Sequence, residues 1–251
     1  MVQKIKKKIH NLFFKEFQKK VIIQSNHSDF SDLENDIIKK VTPYTLTNPE
    51  RLVSLLRALD YINQNQINGS IVECGVWKGG SIMAGLYKLK NLNDESRDIY
   101  LYDTFEGMSE PLEIDKSIRG ESATNAFKSQ DQVWDRIECL SPLEEVVENV
   151  NSVGYSSEKI NFIKGKVEDT INKTNAPKEI AILRLDTDWY ESTKHELEML
   201  FPKLAKGGVL IIDDYGHWQG CKKAVDEYFS KNNIQMYLSR VDYTCRIGVK
   251  Q

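Results

Sequence analysis

From Gly69 onward the chain alternates short apolar runs with segments of helical periodicity. Four of those runs close on acids: Glu73, Asp103, Asp186 with Asp188, and Asp213 with Asp214. The expected strands cover residues 70–74, 98–103, 159–164, 180–185 and 208–212. Helices are expected between them, one with Ile82, Met83, Leu86 and Leu89 on a single side, others over 191–204 and 221–231. Ser141 and Glu144 read as a capping box opening a further helix. Strands buried on both faces and separated by helices specify a doubly wound, Rossmann-like α/β sheet, mostly parallel. The last two strands, 235–240 and 243–249, are joined too tightly for a crossover and are expected to pair antiparallel.

The residues before the first strand read as an N-terminal helical cap over 1–66, leaving 67–251 as the α/β domain. One cap helix covers 31–40; another is capped by Asn48, opens on Pro49, and carries Leu52, Leu55, Leu56, Leu59 and Ile62 at helical spacing. Residues 1–20 carry seven lysines against one acid, Glu16, with Ile5, Ile9, Leu12, Phe13 and Phe17 on one face. Such a basic amphipathic helix suits peripheral contact with an anionic membrane surface, or packing on its own domain or a partner subunit. A homodimer with these helices packed or exchanged is the expected assembly.

Composition removes several classes. A net charge of −3 argues against a nucleic-acid coat. No apolar run reaches the roughly 18 residues of a membrane span. The start lacks the h-region and cleavage site of a secretory signal. The four cysteines, Cys74, Cys139, Cys221 and Cys245, form no C-x-x-C pair, which excludes a zinc ribbon and makes a disulfide scaffold improbable. A cytoplasmic protein is expected, free or at the inner face of the membrane.

Ligands of doubly wound sheets sit beyond the carboxyl ends of the strands. The first turn there reads Glu73-Cys74-Gly75-Val76-Trp77-Lys78-Gly79-Gly80-Ser81. It approaches G-x-G-x-x-G but has Trp77 where the second glycine lets backbone approach a pyrophosphate, which argues against NAD or FAD. S-adenosylmethionine has no pyrophosphate. Glu73 could receive its ammonium, the amides around Gly79, Gly80 and Ser81 its carboxylate, and Asp103 its ribose hydroxyls. Asp186 and Asp188 point to one side of an extended chain. With the Asp213-Asp214 pair they make a hard oxygen site suited to Mg²⁺, Mn²⁺ or Ca²⁺. The four histidines are dispersed; His217 follows the aspartate pair and lies near the site or in a surface loop.

With both constellations placed, the chain resembles the macrocin O-methyltransferase family from about Pro43 to the C-terminus. The resemblance rests on Thr45-Leu46-Thr47 with Pro49-Glu50-Arg51, the first turn, Tyr102-Asp103-Thr104-Phe105-Glu106-Gly107-Met108, Leu185-Asp186-Thr187-Asp188-Trp189-Tyr190-Glu191, and Asp213-Asp214-Tyr215. It implies a class I methyltransferase fold and Mg²⁺-dependent methyl transfer from S-adenosylmethionine to a sugar hydroxyl of a small molecule or glycan. Asp186, Asp213 and Asp214 would hold the metal and Asp188 would act as general base. Residues 44–46 would help close the site and 165–169 would pass near the adenine. The cofactor-binding set is then Glu73, Gly75, Gly79, Ser81, Asp103, Thr104, Gly165, Glu168 and Asp186. A cation with open positions for two neighbouring oxygens favours a vicinal diol.

Competing readings are a nucleotide-sugar oxidoreductase or epimerase using Tyr155 and Lys159 in a Y-x-x-x-K spacing, a metal-dependent phosphoesterase using the aspartates, and a non-catalytic partner that keeps the fold. The polar stretch 109–132 is either a lid or a surface loop.

Overall fold

The computed structural model describes residues 29–129, 139–172 and 175–251; the basic segment 1–20 and residues 130–132 of the polar stretch lie outside them. The chain runs α1 (Asp32–Val41), α2 (Pro49–Gln64), β1 (Ser70–Cys74), α3 (Gly80–Asn91), β2 (Ile99–Asp103), α4 (Ala123–Ser129), α5 (Leu143–Asn151) and β3 (Ile160–Lys164). It continues through a single turn α6 (Val167–Thr170), β4 (Ile180–Leu185), α7 (Tyr190–Leu200), β5 (Leu204–Ile212), α8 (Gln219–Lys231), β6 (Ser239–Arg240) and β7 (Arg246–Val249).

The strands form one sheet in the order β3-β2-β1-β4-β5-β7-β6. The first five are mutually parallel, and β7 enters antiparallel between β5 and β6, as the closing pair requires. Period-two alternation divides their side chains between two cores. Ile71, Leu101, Ile182 and Ile211 face a layer built from α1, α2, α3 and α5; Val72, Tyr102, Leu183 and Ile212 face α7 and α8. The N-terminal helices therefore share the core of one sheet face.

Local signals account for the helix starts, with one correction. Asn48 Oδ1 accepts the Arg51 amide at 2.9 Å, the expected cap of α2. The capping box, however, opens α1: the Ser31 amide donates to Glu34 Oε2 at 2.7 Å and the Glu34 amide to Ser31 Oγ at 3.2 Å. Ser141 makes none. Helix α5 begins one residue later, with Pro142 at the N-cap, so the Ser141 hydroxyl is buried without a partner among the described residues. Strands β6 and β7 are shorter than expected and β5 longer.

Candidate active site

The registers bring the strand ends to one level. Cys74 pairs with Tyr102 and with Leu185, and Leu185 with Ile212. The ladder continues one residue further: Gly75 N–H donates to Tyr102 O, Asp186 N–H to Cys74 O and Asp213 N–H to Leu185 O, each at 2.9 Å. The strand order reverses between β1 and β4, so these ends flank the switch-point crevice. A cavity of ≈ 360 Å³ opens there. Gly75 makes the crossing possible. It sits at φ 83°, and a Cβ would run into the Asp186 carbonyl oxygen.

Of the expected cofactor residues, Glu73, Gly75, Ser81, Asp103, Thr104, Gly165, Glu168 and Asp186 line this cavity. Gly79 does not; it turns the chain at φ 88° against Val150. Ser81 Oγ lies 3.1 Å from Thr47 Oγ1, which brings segment 44–47 onto the cavity wall. Asp103 is engaged by backbone: Oδ2 accepts from the Val76 and Trp77 amides at 2.6 and 3.0 Å, and Oδ1 from Phe105 at 2.7 Å. These bonds fix the first turn against β2 and hold the carboxylate at the cavity edge.

Beneath the floor lies a buried ionic network. Arg184, in an otherwise apolar strand, reaches Glu73, Asp186 and Asp213, each at 2.8 Å. Arg51, from α2, pairs with Asp213 and reaches Asp242 Oδ2 at 3.0 Å. Burial pushes Glu73 up to about 7 against the pull of Arg184. Arg184 and Arg51 line or underlie the site without having been assigned a role from sequence. A charged residue within Ile-Ala-Ile-Leu-Arg-Leu was the available signal, since a buried guanidinium needs carboxylate partners.

Asp186, Asp213 and Asp214, the expected metal ligands, all line the cavity, and Asp188 lines it with them. Asp213 has one oxygen on each of two arginines. Asp186, Asp188 and Asp214 each offer an oxygen within 4.8 Å of the others. Burial raises Asp188 to about 7, with the Asp186 and Asp213 charges adding, while the neighbouring Asp214 and Trp218 side chains pull it down. Asp214 is raised well above the carboxylate range by burial and by the Asp188 and Asp213 charges. Its Oδ2 is buried with no hydrogen-bond partner. Three carboxylate oxygens gathered this closely, beside a buried Asp214 oxygen with no partner among the described residues, fit a divalent cation.

His217 lies on the cavity wall, with Nδ1 3.1 Å from Tyr243 Oη and burial depressing its pKa. Tyr155 and Lys159 lie away from the cavity. Tyr155 Oη donates to Arg97 O at 2.8 Å and Lys159 pairs with Asp98 at 3.2 Å, so the Y-x-x-x-K reading fails on geometry. Among the described residues, no helix is long and apolar enough to cross a membrane.

The family model for macrocin-O-methyltransferase (TylF) matches residues 2–248, so the match reaches well before Pro43 and takes in the N-terminal helices. A relative from Streptomyces olivaceus, 8-demethyl-8-(2,3-dimethoxy-alpha-L-rhamnosyl)-tetracenomycin-C 4'-O-methyltransferase, is 32% identical over 202 residues, covering 80% of this chain and 73% of its own. Demethyldecarbamoylnovobiocin O-methyltransferase from Streptomyces niveus is 32% identical over 202 residues, covering 79% and 72%. Among solved structures, the O-methyltransferase NovP superposes with a TM-score of 0.71 at 28% identity, over 83% of this chain and 82% of that one. The calicheamicin methyltransferase CalS11 shares the fold, with a TM-score of 0.66 at 17% identity over 94% and 90%. The chain, with a crevice shaped by Gly75, Asp103 and the aspartates that end β4 and β5, belongs to the macrocin O-methyltransferase family and is an S-adenosylmethionine-dependent O-methyltransferase.

Proposed function

We propose that the protein methylates a hydroxyl of a sugar, one of a vicinal pair, on a glycosylated small molecule or glycan, with a divalent cation at Asp186, Asp188 and Asp214. The observation that carries this reading is the meeting of those three carboxylates, within 4.8 Å, beside the cavity lined by Gly75, Asp103 and Glu168. One curated relative is named for a rhamnosyl-tetracenomycin and another for demethyldecarbamoylnovobiocin.

When bound, Mg²⁺ or Mn²⁺ would act as a Lewis acid and make a nearby hydroxyl more acidic. The chain's residues do the rest. The β1, β2 and β3 ends seat the adenosyl and methionyl portions, and Arg184 holds Glu73 and Asp186 in fixed positions. The acceptor oxygen attacks the methyl carbon in line with sulfur, forming the C–O bond as the C–S bond breaks. Its proton passes to Asp188, and the sulfonium leaves as the neutral thioether. Trp218 and Asp214 flank Asp188, which takes the proton as general base. Asp213 anchors the β5 end through its two arginines.

The test is incubation of the purified protein with S-adenosylmethionine, Mg²⁺ and a panel of rhamnosides with and without neighbouring free hydroxyls, read by mass spectrometry. Methylation confined to the diols, lost in EDTA and restored by Mg²⁺, is expected. Turnover unchanged in EDTA sinks the cation assignment. Phosphate release from sugar phosphates, without methylation, would favour the phosphoesterase.

A further inference from the structure

Asp188 stands at φ 69°, a conformation that is costly for a residue with a Cβ and persists only where its surroundings enforce it. Part of that enforcement is local. Thr187 O accepts from the Trp189 amide at 2.8 Å and from Ser192 Oγ at 3.3 Å, and Thr187 Oγ1 donates to Glu196 Oε1 at 2.9 Å.

The remainder comes from residues 109–122, far away in sequence. The Trp189 indole N–H donates to Ser109 O at 2.9 Å. The Tyr190 amide, first in α7, donates to Asp115 Oδ1 at 2.9 Å, while Asp115 Oδ2 accepts from Leu112 at 2.8 Å. Helix α7 has Trp189 at its N-cap and no side-chain cap of its own. Asp115, with 0% exposure, supplies that cap from another segment. The same segment reaches α8: Ser117 bridges Trp218, and the Gln219 amide donates to Lys116 O at 2.8 Å. Gly220 in α8 leaves room for the carboxylate, since a Cβ there would collide with Asp115 Oδ1. Residues 109–122 are thus a built wall joining the two loops that carry Asp188 and Trp218.

We propose that Asp115 is a positioning residue for Asp188. By fixing the Tyr190 amide it holds the strained Asp188 backbone, and with Ser109 and Ser117 it sets Asp188 against Trp218 and Asp214. The inference rests on the assignment of Asp188 to the cation site made above.

The test compares Asp115→Ala, Asp115→Asn and Asp188→Asn in the full chain. Mn²⁺ and S-adenosylhomocysteine are titrated separately by calorimetry. Asp115→Ala is expected to weaken Mn²⁺ about tenfold or more, as removal of a group that orients a ligand does, with S-adenosylhomocysteine affinity changed less than about twofold. Asp115→Asn keeps an Oδ1 acceptor for Tyr190 but sets an amide N–H against that of Leu112, and is expected to recover part of the Mn²⁺ affinity lost in Asp115→Ala. If Asp115→Ala does not fold, Gly220→Ala displaces the carboxylate without deleting it and carries the same expectation. Unchanged Mn²⁺ affinity in Asp115→Ala (or Gly220→Ala), beside a loss in Asp188→Asn, overturns the positioning role and leaves the cation site standing. Equal losses for both ligands overturn it as general destabilisation. Unchanged Mn²⁺ affinity in Asp188→Asn removes Asp188 from the cation site, and the inference falls with it.

Discussion

Arg184 Nη2 donates to Asp213 Oδ1 at 2.8 Å, joining β4 to β5 beneath the cavity floor. The same guanidinium holds Glu73 of β1 and Asp186, so one side chain ties three strand ends together. Removing one partner of a buried ionic group leaves the others uncompensated, at a cost of about 3–5 kcal/mol. Arg184→Met is therefore expected to lose that much stability in urea unfolding, together with S-adenosylhomocysteine binding. Arg184→Lys has a point charge in place of a planar fork and is expected to recover only part of it. A fully stable Arg184→Met protein that binds the product normally would show that the network is dispensable.

Asp188 must be deprotonated to accept the acceptor's proton, and burial sets its pKa at about 7 in the metal-free protein. Turnover is expected to rise with pH below that value and to flatten above it; a bound cation, which favours the anion, moves the break lower. Asp188→Asn is expected to cost about 10²–10⁴-fold in kcat and to remove the acidic limb. The measurement is a pH–rate profile on the acceptor found by the rhamnoside panel. An acidic limb that survives in Asp188→Asn assigns the titration to another group.

Glu196 links stability to pH. It is buried in α7 and accepts from Thr187 Oγ1 at 2.9 Å, and burial raises it well above the carboxylate range. The folded state therefore retains a proton that the unfolded chain releases near pH 4.3. Its stabilising effect is complete below that value and fades as pH rises toward the folded pKa. Glu196→Gln is expected to match the native protein near pH 4 and to exceed its urea midpoint near pH 8. Parallel midpoint curves for the two proteins across this range would mean that Glu196 is ionised in the fold.

The parts legible in sequence were those that local patterning decides. Apolar runs ending in acids located β1 and β4 to the residue, and the strand ends placed Asp103, Asp186 and Asp214 on one crevice. What stayed hidden depends on contacts distant in sequence. Arg184 was visible within an apolar run, but its carboxylates come from three segments. Asp115 lies in a polar stretch without periodicity, and its bond to Tyr190 spans 75 residues. The ion pair of Asp213 with Arg51 was likewise hidden, since α2 delivers Arg51 from the opposite end of the chain.

The two serines that precede Glu at capping-box spacing, Ser31 and Ser141, test how far that local patterning extends. Both sequences carry the same signal, and only Ser31 uses it. Its hydroxyl and the Glu34 carboxylate satisfy each other's backbone amides at the start of α1. Ser31→Ala is expected to cost about 1 kcal/mol, the usual loss on removing such a cap. Ser141 lies one residue before the N-cap, occupied by Pro142, and its hydroxyl is desolvated without a partner among the described residues. Deleting an unsatisfied buried hydroxyl removes a penalty instead of a bond. Ser141→Ala is expected to be neutral or stabilising by urea unfolding. A loss at Ser141 comparable with that at Ser31 would place the start of α5 one residue earlier and restore the cap that the spacing suggests.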